Sequence, residues 1–120
     1  MPRLDIWSGS NLTGRRIQFT GDDGVAVLDL GVFRFNNFLS SFRLINPGDS
    51  SDVTLVLFSR FNFQGSFRVF RGAQTVRNLS NLAFNNATSS FILVDDRLTN
   101  TQINRIRRTG NVPSDILVIR

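Results

Sequence analysis

The chain contains no cysteine and no histidine. Disulfide scaffolds, thiolate zinc sites, cysteine nucleophiles and every triad that runs through an imidazole base are therefore excluded. Tyrosine, lysine and glutamate are missing as well, so all 14 basic residues are Arg and all 9 acidic residues are Asp, for a formal charge of +5. Without Lys or Glu, and with few Ala, a helix-rich fold lacks its usual material. No run approaches the ~20 apolar residues of a membrane span. The first residues, Met1 to Trp7, lack the apolar stretch of a secretory leader. The expectation is a protein that is cytoplasmic, or released or coat-associated without a classical signal, and without catalytic activity.

What is present is ordinary globular material: 120 residues, 41% hydrophobic, with 12 Phe. That is one domain's worth of core. The chain also repeats itself. Trp7-Ser8-Gly9-Ser10-Asn11-Leu12-Thr13-Gly14 aligns with Phe58-Ser59-Arg60-Phe61-Asn62-Phe63-Gln64-Gly65. Further on, Phe35-Asn36-Asn37-Phe38-Leu39-Ser40-Ser41-Phe42 aligns with Phe84-Asn85-Asn86-Ala87-Thr88-Ser89-Ser90-Phe91. The offset between the matches differs by two residues, absorbed in a loop where Asp22-Asp23-Gly24 faces a shorter Ala73-Gln74.

Within each half the apolar pattern is that of short strands. Arg16-Ile17-Gln18-Phe19 and Phe67-Arg68-Val69 alternate, while Val53 to Phe58 and Phe91-Ile92-Leu93-Val94 are apolar throughout. Asn46-Pro47-Gly48-Asp49-Ser50-Ser51 is a turn-rich connector between the halves. The reading is an all-β sandwich of two similar units.

Two motifs, each in both halves and in the same order, make the chain resemble the βγ-crystallin family. One is aromatic, four residues, aromatic, one residue, Gly: complete as Phe58, Phe63 and Gly65, and with Leu12 replacing the second aromatic between Trp7 and Gly14. The other is Asn-Asn-x-x-Ser/Thr-Ser, at 36–41 and 85–90. The resemblance implies a sandwich of two Greek key motifs, motif one at 1–46 and motif two at 53–95, making a domain of 1–95. It also implies a non-enzymatic, microbial-type protein with a structural or stress- or dormancy-related role, binding two calcium ions. By position, the ligands would be the backbone carbonyls of Asn37 and Asn86, the hydroxyls of Ser40 and Ser89, and the backbone carbonyls of Ser8 and Ser59. Each site would lie between the loop of one motif and the hairpin of the other, with Ser41 and Ser90 bracing the fold. Calcium accepts hydroxyl and carbonyl oxygens, so such loops can serve without carboxylates.

Phe38 and Ala87 stand where better calcium binders of the family place a side-chain oxygen. Neutral donors in a cationic chain place affinity at roughly 10⁻⁴–10⁻³ M. The plainer alternative is that both loops only cap turns through Asx and Ser hydrogen bonds.

The Phe residues beside Arg, as in Phe67-Arg68-Val69-Phe70-Arg71, are read as core rather than as a stacking platform, so nucleic acid is disfavoured as a partner. Asp22-Asp23 and Asp95-Asp96 lack an accompanying base or nucleophile and are read as solvated turns.

Residues 96–120 form a C-terminal extension of one short helix and one strand. Thr99 to Gln102 has the form of a capping box, Ile103 and Ile106 share a face, and Gly110 stops the helix. Asp115 to Arg120 reads as a strand that must pair with a sheet edge of this chain, the favoured outcome, or of a second copy. Arg97, Arg105, Arg107 and Arg108 form a basic face, read as solvated. The rival is adhesion to an anionic surface or coat-like assembly, with calcium incidental.

Overall fold

A computed structural model describes residues 2–46, 52–113 and 116–119. Most of the connector (47–51), together with Asp115 and Arg120 of the C-terminal strand, lies outside the described residues. Motif one supplies β1 (Arg3–Gly9), β2 (Thr13–Thr20), β3 (Gly24–Val27) and β4 (Ser41–Ile45). Motif two supplies β5 (Thr54–Arg60), β6 (Gln64–Arg71), β7 (Gln74–Val76) and β8 (Ser90–Val94). The extension adds α1 (Asn100–Thr109) and β9 (Leu117–Ile119).

The strands form two sheets, ordered β2-β1-β4-β7 and β6-β5-β8-β3-β9. Each motif thus lends its third strand to the other motif's sheet. β3 pairs with β8, and β7 pairs with β4. Neither motif completes its sheet without the other.

The inward residues of both sheets meet in a shared core that includes Leu4, Ile6, Phe42, Leu44, Leu55, Leu57, Phe91 and Leu93. Most of the Phe residues lie in this interior or against it, in edge-to-face pairs such as Phe42–Phe70 at 4.8 Å and Phe19–Phe91 at 5.0 Å. Phe58, Phe63 and Phe67 belong to a second cluster, and Phe38 and Phe61 are exposed, at 55% and 46%.

That second cluster lies on the other side of the five-stranded sheet. Ala26, Val56, Phe58, Ile92 and Val94 project outward from it and are buried with Phe63, Leu98, Ile103 and Ile106. The extension is therefore a third layer. Its start is fixed by Thr54, whose buried hydroxyl donates to the carbonyl of Asp96 at 2.7 Å and accepts from Leu98 N–H at 3.1 Å. Thr99 caps α1 in a reciprocal box with Gln102, and Gly110 closes it at φ 75°. β9 then runs parallel to β3, Val25 opposite Leu117 and Val27 opposite Ile119, so the terminal strand pairs with its own chain.

Candidate functional site

The repeated sequence produces a repeated geometry. At the hairpin tips, Asn11, Leu12, Asn62 and Phe63 all take positive φ. Gly14 and Gly65 follow at +84° and +82°, and a Cβ on either would strike the hydroxyl of Ser8 or Ser59. Those hydroxyls cap the hairpins: Ser8 accepts from Arg15 N–H at 2.9 Å, and Ser59 from Ser66 N–H at 2.8 Å.

Ser41 and Ser90 brace the hairpins as the motif implies. The Ser41 hydroxyl donates to the Gly9 carbonyl at 2.6 Å and accepts from Leu12 N–H at 3.0 Å. Ser90 repeats this with the Arg60 carbonyl at 2.7 Å and Phe63 N–H at 3.1 Å.

The two Asn-Asn-x-x-Ser-Ser loops face each other. Asn37 and Asn86 are left-handed, at φ 61° and 55°, and each donates its N–H across to the opposite loop: Asn37 to Thr88 and Asn86 to Leu39, both at 3.0 Å. The side chains cross in the same way. Ser40 Oγ lies 3.0 Å from Asn86 Oδ1, and Ser89 Oγ 3.3 Å from Asn37 Oδ1.

Each pair is tied to a hairpin, because Ser40 N–H donates to the carbonyl of Trp7 at 3.0 Å and Ser89 N–H to that of Phe58 at 2.8 Å. Ser8 and Ser59 are the residues that follow. The six expected ligand residues thus sort into two groups, Asn86 with Ser40 and Ser8, and Asn37 with Ser89 and Ser59; in each the Ser sits with its own motif's hairpin and only the Asn crosses, whereas the resemblance sets a whole loop against the other motif's hairpin.

The donor chemistry fits a hard cation. Hydroxyl and amide oxygens are donors that calcium accepts; the two Ser–Asn contacts are themselves side-chain hydrogen bonds to Asn Oδ1, not to the backbone carbonyls that the resemblance implies as ligands. Among the described residues, no loop or turn N–H donates to the carbonyl of Asn37 or Asn86. Asn36 Oδ1 and Thr88 Oγ1, in the two segments joined by the Asn37–Thr88 bond, are buried without a hydrogen-bond partner. Among the described residues there is also no cluster of three or more carboxylate, imidazole or thiolate side chains. The two loops and the two hairpin tips carry no Asp, so the oxygens that they themselves offer an ion are neutral.

The residues at the first variable position behave differently. Phe38 is exposed and lines a cleft of about 230 Å³ with Ser8, Arg15, Arg34 and Phe35, whereas Ala87 packs against the core. Arg15 is spent on the carbonyls of Phe33 and Arg34, at 2.6 and 2.9 Å.

The sequence reading of Arg107 as solvated needs correction. Its guanidinium lies 4.6 Å over the Phe67 ring and donates to the Gly65 carbonyl at 3.3 Å. Asp95 is likewise no plain solvated turn: its Oδ1 accepts from Asn46 Nδ2 at 2.6 Å. The apolar runs Val53 to Phe58 and Phe91 to Val94 are consistent with strands buried on both faces, but they do not say that the extension covers the outward residues Val56, Phe58, Ile92 and Val94.

No sequence-family model matches the chain, and no curated protein matches it. Solved structures do. A βγ-crystallin from Ciona intestinalis superposes over 74% of this chain and 95% of its own, with a TM-score of 0.59 at 20% identity. A βγ-crystallin domain from Flavobacterium johnsoniae covers 80% and 98%, with 0.58 at 21%. One from an archaeon covers 81% and 98%, with 0.56 at 17%. The chain has the βγ-crystallin domain fold. No helix among the described residues is long and apolar enough to cross a membrane.

Proposed function

We propose that this chain is a non-enzymatic calcium-binding βγ-crystallin protein, with two weak crossed sites and a structural or stress-related role in which the ion stiffens the fold. The observation that carries the reading is the crossing itself. Each loop offers a hydroxyl to the other loop's Asn oxygen, at 3.0 and 3.3 Å, so one ion at either place would tie both motifs together. Asn37, Ser89 and Ser59 would hold one ion, and Asn86, Ser40 and Ser8 the other. When bound, calcium supplies a cross-link between loops that hydrogen bonds alone already bring together. The absence of carboxylates sets the affinity in the submillimolar to millimolar class.

The rival, assembly or surface adhesion through the extension, is less supported. β9 is paired with β3, the apolar residues of α1 are buried on the same chain, and Arg107 is engaged there.

Calorimetric titration and thermal melting test the calcium reading. A ligand that binds only the folded state stabilises it by RT ln(1 + [L]/Kd), about 1 kcal/mol at a few times Kd, so millimolar calcium should give a small rise in melting temperature. Ser40→Arg and Ser89→Arg each remove a hydroxyl and add a cation, and each should abolish half of the bound calcium. No heat and no melting shift at about 10 mM, near saturation for this class, would refute the proposal.

A further inference from the structure

The two crossed groups are related by the repeat, yet only one is held by the extension. On the first hairpin, the counterpart of Gln64 is Thr13, whose hydroxyl turns back to the carbonyl of Ser10 within its own turn. On the second, Gln64 Nε2 donates to the carbonyl of Arg107 at the end of α1 and to that of Asn62 at the hairpin tip. Arg107 returns a bond to the carbonyl of Gly65 and covers the Phe67 ring. Phe63, at the tip, is buried in one cluster with Ile103 and Ile106 of α1. The counterparts of Phe63 and Phe67 on the first hairpin are Leu12 and Arg16, neither of which belongs to the cluster around Ile103 and Ile106.

This clamp acts on the hairpin that carries Ser59. Gly65, held by Arg107, precedes Ser66, whose N–H donates to the Ser59 hydroxyl at 2.8 Å, and Phe58, one residue before Ser59, accepts from Ser89 N–H. The buried oxygens without partners, Asn36 Oδ1 and Thr88 Oγ1, flank Asn37 and Ser89 of the same group. The counterparts of those two residues in the other group are the exposed Asn85 and the apolar Leu39.

We infer that Gln64 and Arg107 are positioning residues for the Asn37–Ser89–Ser59 calcium site, so that this site and the docking of α1 reinforce each other while the Asn86–Ser40–Ser8 site is independent of the extension. The inference rests on the proposed calcium function. Its physical basis is linkage: a helix that holds a binding hairpin in place removes an ordering cost from the ion, and the ion must then favour the docked helix by the same factor.

The test uses the full chain and calcium alone. Two site classes are expected in the wild-type titration. Gln64→Ala should weaken one of them by roughly five- to tenfold, the lower part of the usual coupling range, and leave the other unchanged. Arg107→Ala should act on the same class, and Arg107→Lys, which keeps the charge but not the planar fork, should rescue only in part. Reciprocally, calcium should slow amide hydrogen exchange of residues 103–110 in Ser40→Arg, which retains only the clamped site. It should leave that exchange unchanged in Ser89→Arg. A wild type that binds no calcium would overturn the calcium reading and this inference together. Calcium bound with equal loss at both sites in Gln64→Ala, or with no change in α1 exchange, would overturn the inference and leave the calcium reading standing. Should an arginine variant fail to fold, the wild-type and Gln64→Ala titrations, with exchange measured on both, decide the matter by the same outcomes.

Discussion

The two sheets of this sandwich present opposite outer faces. Across the five-stranded sheet one outward row reads Val118, Ala26, Ile92, Val56, Val69. Across the four-stranded sheet the corresponding row reads Thr75, Arg43, Asp5, Gln18. Both sheets come from repeats of one motif, so the motif does not dictate this difference. The extension accounts for it: α1 covers the first row, whereas in the second Thr75 and Gln18 are exposed and Asp5 is buried beside the side chains of Arg3 and Arg16. A sheet that carries apolar residues on both faces must be covered on both, whereas one with a polar face can meet water. In this chain the extension completes the fold where the two motifs alone leave apolar surface.

The largest effect should follow from removing the cover. Deleting 97–120 takes away Leu98, Ile103 and Ile106, each worth roughly 1.5–3 kcal/mol of burial, or about 5–9 kcal/mol together, comparable to the whole stability of many domains. Unfolding in urea, followed by the fluorescence of Trp7 on the opposite sheet, should show a truncated chain with a much lower midpoint or no folded baseline. An unchanged midpoint would mean that the row Ala26, Ile92, Val56 tolerates water and that the two outer faces differ in composition but not in their need for cover.

Next in size is a polar intrusion into the same row. Ile92 is fully buried between the five-stranded sheet and α1. Ile92→Asp places a carboxylate there with no cation built to meet it, and a loss above about 4 kcal/mol is expected from that mechanism. The check is again the urea midpoint, together with soluble yield. A stable, soluble variant would show that α1 undocks without cost.

Much of this arrangement is legible in the sequence because it is written locally. The hairpin glycines, the Ser braces, the strands and the Thr99–Gln102 box each depend on neighbours within a few residues or on a motif repeated in register. The pairing of Ser40 with Asn86 and of Ser89 with Asn37 is not in the sequence reading, which sets each whole loop against the other motif's hairpin; those pairs are far apart along the chain. What the sequence hides are contacts made by residues whose type suggests something else. Arg107 resembles any of several solvated arginines, and only the position of Phe67 and Gly65 beneath α1 turns it inward. Val56 and Ile92 read as core, which they are, but of a second core that periodicity cannot distinguish from the first: a strand buried on both faces is simply apolar throughout.

A smaller effect separates how α1 is held from whether it forms. Thr99→Ala removes one half of the capping box, and such caps are worth about 1 kcal/mol. Hydrogen exchange at residues 100–104 should accelerate by a factor of a few while the sandwich strands keep their protection. Equal acceleration in β5 and β8 would mean that the helix and the sheet it covers open as one unit, making the third layer inseparable from the first two.

The smallest change is expected where intuition places a large one, at the buried carboxylate of the open face. Asp5 is 1% exposed, and its Oδ2 lies 3.5 Å from Arg3 and 3.4 Å from Arg16, while its Oδ1 has no partner. The arginine side chains are 40% and 50% exposed, so the attraction is screened by water and the ion pairs contribute about 0–1 kcal/mol. Replacing a buried charge by an apolar side chain of similar volume also relieves an unmet acceptor, which often offsets the lost pairs. Asp5→Leu should therefore shift the stability read from the urea midpoint by no more than about 1 kcal/mol in either direction and make it less dependent on salt, because the arginines lose the partner that salt screens. This is the reverse exchange of Ile92→Asp, a charge removed from the polar row instead of one added to the apolar row. A loss as large as that of Ile92→Asp would show that Asp5 organises the four-stranded sheet through Arg3 and Arg16, and that its polar outer face is as intolerant of substitution as the apolar face beneath α1.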